Sequence, residues 1–300
     1  MYHLFGINQS VKNIYLLSHK FILNETPKNT VELKKYYLDF LKEHQPHQPV
    51  NYSENIIIND ELIEEKLLNA YHISALNDLG QSNLIGKTIS HVKKEQLQHK
   101  VKEAIELIKF KDESLYHLLH LVIHSIFFRE SESSPEGFKS VGGSSSTAMG
   151  TIWISDSRDF TTEDYAELLL HELTHHLLFI FERCHAQFNY SEMVKPENFA
   201  QSAILNKKRP LDKVVHSIAV AVEIIIARKN IFKGLSVTAH PSTEILKKQV
   251  CDAISDVQNL NNINELITPW TKELLHQCLQ AIGTNEKKFK EECYENTLAI

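Results

Sequence analysis

The sequence predicts a mainly helical α+β fold, with one functional helix beside a small sheet and further helices around both. Glycine (9) and proline (8) are scarce in 300 residues, which favours long helices over a sheet-rich fold with many tight turns. Several glycine-free runs carry apolar residues at helical spacing. One short β-rich run, AMGTIWIS at Ala148–Ser155, stands directly before the strongest helical segment of the chain.

In chain order, Thr30–Glu43 (TVELKKYYLDFLKE) is amphipathic and stops at the breaker QPHQPVN. Asp60–Tyr71 and Lys93–Lys109 repeat that pattern. Ser114–Arg129 (SLYHLLHLVIHSIFFR) reads as one more helix, which would put His117, His120 and His124 on a single face. That row rivals any other metal site, but no acid accompanies it, and a core helix or cavity wall is the simpler reading. Glu130–Ser146 is rich in Ser, Gly and acids and reads as a loop. A soft boundary falls here, between an N-terminal helical region (1–130) and a catalytic region (131–300). The strand at Ala148–Ser155 follows, either as plain core or as a cleft strand that pairs with an extended peptide. Asp159-Phe160-Thr161-Thr162 with Glu163 and Asp164 then starts a helix, with a threonine cap and acids in the first turn. Pro210 opens another helix, through KVVHSIAVAVEIIIARK. Ser242–Gln258 and Pro269–Ile282 close the chain as amphipathic helices without a recognisable motif.

The chemistry is most legible in His171-Glu172-Leu173-Thr174-His175. Histidines four apart on a helix share one face and can grip one metal ion, and the glutamate between them can reach a metal-bound water. Glu172 is therefore the candidate catalytic residue, and His176 is expected to point elsewhere. A catalytic zinc or iron usually takes three protein ligands. The continuation with Gly and His three and six residues on is absent, because Leu178 and Phe181 stand there. The next helix offers His216 and Glu223, seven apart and nearly on one face. His216 would make a three-imidazole set, and Glu223 the His-His-Glu set of thermolysin-like peptidases. With the preceding strand, this arrangement predicts a zincin-like core inside a helical shell.

Three segments together, AMGTIWIS, AELLLHELTHHLLF and KKRPLDKVVHSIAVA, resemble the HExxH-domain family of peptide-modifying proteins encoded beside ribosomally made peptides. The resemblance covers about residues 140–230, and its most specific part is HExxH followed by R-P-L-x-x-V-x-H. It implies an iron(II)- and 2-oxoglutarate-dependent β-hydroxylase that acts on a precursor peptide, with His171, His175 and His216 on the metal. It also implies Arg209 as a partner for the cosubstrate carboxylate, a role that suits a guanidinium's paired donors. Glu172 has no assigned role in a hydroxylase. The alternative is a zinc peptidase in which Glu172 is the general base. A helical binding module with a structural metal ranks below both, for lack of a four-ligand, cysteine-rich set.

Composition narrows the partners. Hydrophobic residues make up 42% and charged residues 23%, as in ordinary globular chains. The net charge is −6 with interleaved signs, so no basic arm offers itself to nucleic acid. Cys184, Cys251, Cys278 and Cys293 form no CxxC pair, which suits free thiols in a reducing compartment. The longest apolar run, near residues 218–227, is short and interrupted by Glu223, and the N-terminus lacks signal-peptide character. A cytoplasmic enzyme without membrane attachment is the expectation. Nothing in the sequence addresses oligomeric state.

Overall fold

A computed structural model describes residues 2–22, 26–71, 84–133, 139–157 and 159–283. They form mainly helices, with a small mixed sheet. In order these are α1 (Gly6–Ser18), α2 (Thr30–His44), α3 (Glu61–Ala70), β1 (Ile85–Thr88), α4 (His91–Lys111), α5 (Glu113–Val122), β2 (Ser125–Ser131), β3 (Gly142–Gly143), β4 (Thr151–Ile154) and α6 (Thr162–Cys184). Then come α7 (Tyr190–Met193), β5 (Ala200–Gln201), β6 (Lys208–Arg209), α8 (Leu211–Asn230), α9 (Thr243–Gln258), α10 (Ile263–Leu266) and α11 (Pro269–Ala281). Among the described residues no helix is long and apolar enough to cross a membrane. Cys184, Cys251 and Cys278 are free thiols; Cys293 lies outside the described residues.

Contacts divide the chain into two compact units. The first holds residues 1–184 and 235–239, the second 185–234 and 240–300. In the first, the sheet runs β1-β2-β4-β3, with β2 and β4 parallel and the outer strands antiparallel to them. Phe127 and Trp153, register partners across β2 and β4, pack with Leu67 and Ala70 of α3 and with Tyr71. Period-two alternation turns Ile126, Phe128, Ile152 and Ile154 to the opposite face. The motif helix α6 packs on α1, α4, α5 and β3. In the second unit α8 is buried along most of its length and packs on α9 and α11, while β5 and β6 form a two-stranded ribbon leading into it.

Two expectations are corrected. Ser114–Arg129 is not one helix: α5 ends at Val122, and Ser125 begins β2. Ile126, Phe127 and Phe128 are completely buried between neighbouring strands, and such a strand reads as a continuous apolar run, like a buried helix. His124 falls in the two-residue break, so the row of three histidines does not exist. The segment Glu130–Ser146 is likewise not all loop, since β2 continues to Ser131 and β3 occupies Gly142–Gly143; residues 134–138 lie outside the described set. The strand before the motif helix is confirmed, and it is central: β4 has β2 on one side and β3 on the other, and all four of its residues are buried. Among the described residues, β3 covers its outer edge at Trp153 and Ile154.

The start of α6 is held unusually firmly. Thr161 and Asp164 form a reciprocal capping box, Thr161 N donating to the Asp164 carboxylate and Asp164 N to Thr161 Oγ1. The same carboxylate accepts from the backbone amides of Thr238 and Ala239 at 2.5 and 2.7 Å. Burial opposes its ionisation, but these hydrogen bonds win and hold its pKa below the ordinary value. The stability this contributes is present above the usual carboxylate range and is lost as pH falls through the depressed pKa. Asp164→Asn is expected to cost about 2–3 kcal/mol in urea unfolding at neutral pH, because an amide loses the charge and one acceptor. A cost under about 0.5 kcal/mol, typical of surface substitutions, would show that the carboxylate does not hold the 238–239 segment.

Candidate metal centre

Helical spacing brings His171 and His175 onto one face of α6, both half-buried. Their Nε2 atoms stand 3.2 Å apart, with ring centroids 5.0 Å apart. Two imidazole nitrogens bound to one ion at about 2.0–2.1 Å each stand about 3.0–3.4 Å apart, so the pair fits a shared zinc or iron. Glu172 lies behind this pair, only 3% exposed, with Oε1 3.9 Å from His171 Nε2. Burial pushes its carboxyl up to about 8, and the nearby Ser144 hydroxyl pulls slightly the other way. Neither Ser144 Oγ nor Glu172 Oε2 reaches full hydrogen-bond geometry. Tyr71 completes the surround. Its hydroxyl donates to Thr151 O at 2.7 Å, and burial, with a contribution from Glu172, holds its phenol well above the ordinary value.

His176 points away from the pair. Gly150 N donates to its Nδ1 at 3.2 Å, which makes Nε2 the protonated nitrogen, and Nε2 donates to Thr151 O at 2.9 Å. The ring thus ties α6 to the start of β4. His124, across Gly150, accepts at Nδ1 from Asn51 N at 3.3 Å and pairs there with Ser125 Oγ at 2.9 Å. Gly150 is required between the two rings: its φ is +82°, and a Cβ there would stand 2.6 Å from His124 Cδ2.

No family model matches this sequence, and no curated protein does.

The remaining predicted residues belong to the second unit. His216 is 4% exposed on α8. Glu223, seven residues on, is completely buried, and its charge adds to burial in raising the Cys278 thiol of α11. Arg209 is 7% exposed and pairs through its backbone with Ala200, whereas Lys208 beside it is exposed. Arg209 is therefore not part of a solvated surface cluster. Among the described residues no group of three or more His, Cys, Asp or Glu side chains stands in metal-holding geometry, and the first unit supplies the His171–His175 pair on α6. Sequence reasoning missed Tyr71 and Ser144. Ser144 sits in the biased run GGSSS, where nothing marks one serine over another, and Tyr71 ends an ordinary amphipathic helix.

Proposed function

We propose that this chain is an iron(II)- and 2-oxoglutarate-dependent hydroxylase of a side-chain carbon in a ribosomally made precursor peptide, acting in the cytoplasm on a zincin-like core. The observation that carries the reading is the pair of imidazole nitrogens 3.2 Å apart on α6. It is joined by the R-P-L-x-x-V-x-H segment, whose arginine is buried. His171, His175 and His216 would hold the metal, and Arg209 would pair with the distal carboxylate of the cosubstrate. Iron(II) with 2-oxoglutarate and oxygen supplies the oxidation, one oxygen atom entering the peptide and the other leaving in succinate with release of carbon dioxide. The chain's own work is to orient and to exclude water. Ser144 and Tyr71 lie close enough to Glu172 to influence it electrostatically, and His176 ties α6 to the start of β4.

A second reading, zinc-dependent peptide hydrolysis, is favoured by one observation. Glu172 is buried immediately beside the histidine pair, where a general base for water would stand. One assay separates the two. Purified protein is incubated with iron(II), 2-oxoglutarate, oxygen and the peptide encoded beside its gene, and the product is weighed. A gain of one oxygen with stoichiometric succinate supports the hydroxylase, fragments support the peptidase, and an unchanged peptide overturns both.

Two substitutions divide the ligand assignments. His216→Ala is expected to lose bound metal and Glu223→Ala to keep it; loss in the Glu223 variant alone would favour the peptidase set. Arg209→Lys keeps the charge but not the two parallel donors, and should weaken apparent 2-oxoglutarate affinity roughly five-fold or more at unchanged metal content. Unaltered affinity would remove Arg209 from the cosubstrate site.

A further inference from the structure

Arg129 lies on β2, directly opposite Thr88 of β1, where the ladder between the two strands loses its regular register. It is 3% exposed. Its Nη1 donates to Thr88 Oγ1 at 2.6 Å, whereas Nε and Nη2 are enclosed and meet no hydrogen-bond partner. Those two nitrogens are not a random pair. In a guanidinium, Nε–H and the adjoining Nη2–H point the same way and form one flat edge, spaced to match the two oxygens of a carboxylate. Thr88 thus anchors the side chain by its other end and leaves this whole edge to something else. Leaving a buried cation unpaired is costly, and among the described residues no acid forms an ion pair with it. Thr88 itself is exposed, and β1 is a four-residue edge strand. Irregular register at a sheet edge commonly accompanies a functional position.

We propose that Arg129 and Thr88 form a carboxylate-binding site at the β1–β2 edge, in which the Nε/Nη2 edge takes both oxygens of one carboxylate. The site does not rest on the hydroxylase reading, and the carboxylate belongs either to a free small acid or to a peptide terminus.

The test uses the full chain without added metal, so that its outcome is separate from any catalytic result. Binding is measured by calorimetry and thermal unfolding with succinate, and with a short peptide bearing a free C-terminal carboxylate beside its amidated form. Sodium chloride at matched ionic strength is the control. Saturable binding and a rise in unfolding temperature are expected for succinate, for the free peptide, or for both, and whichever responds identifies the source. Arg129→Met should abolish that response, and, having lost an unpaired buried charge, should unfold at no lower temperature than the parent without ligand. Thr88→Val, an exposed change that suits a strand, should keep the fold and weaken binding roughly three-fold or more by freeing the guanidinium. No response beyond chloride, an equal response from the amidated peptide, or undiminished binding in the folded Thr88→Val and Arg129→Met proteins overturns the proposal. If Arg129→Met fails to fold, Thr88→Val alone decides.

Discussion

His171→Ala and His175→Ala should each abolish bound metal and product formation while leaving helix content unchanged. The loss is large because the two Nε2 atoms act as one chelating pair: with one gone, the other is a single imidazole on a helix face. The helix survives for separate reasons. Alanine is a better helix former than histidine, both side chains are only half-buried, and α6 is secured elsewhere by the Asp164 cap and the His176 tie. Metal content by mass spectrometry, circular dichroism and the peptide assay form the readout. A variant that keeps stoichiometric metal would show that the motif does not hold it. His176→Ala should behave in the opposite way, costing stability rather than metal, because it leaves the buried Gly150 amide without a partner and removes one of the two donors to Thr151 O, Tyr71 being the other.

Acid should unfold the first unit well above the carboxylate range. Burial, reinforced by the Lys34 charge and by the neighbouring His176 ring, pushes His124 down to about 3, and burial with Lys34 pushes His120 down to about 4. Both rings stay neutral in the fold but take up a proton in the unfolded chain below the ordinary histidine value. Stability is therefore complete above about pH 6.5 and declines as pH falls toward the depressed values. For the fully buried His124 alone the slope is about 1.4 kcal/mol per pH unit, or about 3 kcal/mol by pH 4.5. The geometry agrees with that direction: Nδ1 already accepts from Asn51 N, and protonation would turn that acceptor into a donor facing a donor. Urea unfolding at pH 7, 6, 5 and 4.5 measures the slope. His124→Asn, which offers an acceptor and does not titrate, should flatten it by about one proton, and an unchanged slope would place the acid sensitivity elsewhere.

The motif helix was fully legible in the sequence because everything that specifies it is local. Thr161 and Asp164 cap it, no glycine or proline interrupts it, and four-residue spacing aligns its histidines. Helices α2, α3, α4, α8, α9 and α11 were legible in the same way, from apolar periodicity bounded by caps and breakers. The sheet was not. Its partners come from residues 85, 125, 142 and 151 onward, and nothing in a strand of two to seven residues encodes which distant strand lies beside it. The break after Val122 was hidden because Ile126, Phe127 and Phe128 are as apolar as the helix before them. The site followed the same division: His171 and His175 were readable, whereas Tyr71 and Ser144 reach Glu172 only through the sheet.

The five residues 235–239 carry a consequence for how the protein is made. The chain leaves the first unit after Cys184, builds much of the second, and returns only to place the Thr238 and Ala239 amides on Asp164. On the ribosome, the motif helix therefore emerges before the backbone that holds its Asp164 carboxylate has been synthesised. At about 5–20 residues per second, the delay is roughly 3–11 seconds. During that interval the Asp164 carboxylate has only its two Thr161 donors and lacks the three from Thr238 and Ala239. A chain cut short before that point would carry the histidine pair on a helix that keeps its own Thr161–Asp164 cap but lacks the tie from Asp164 to Thr238 and Ala239.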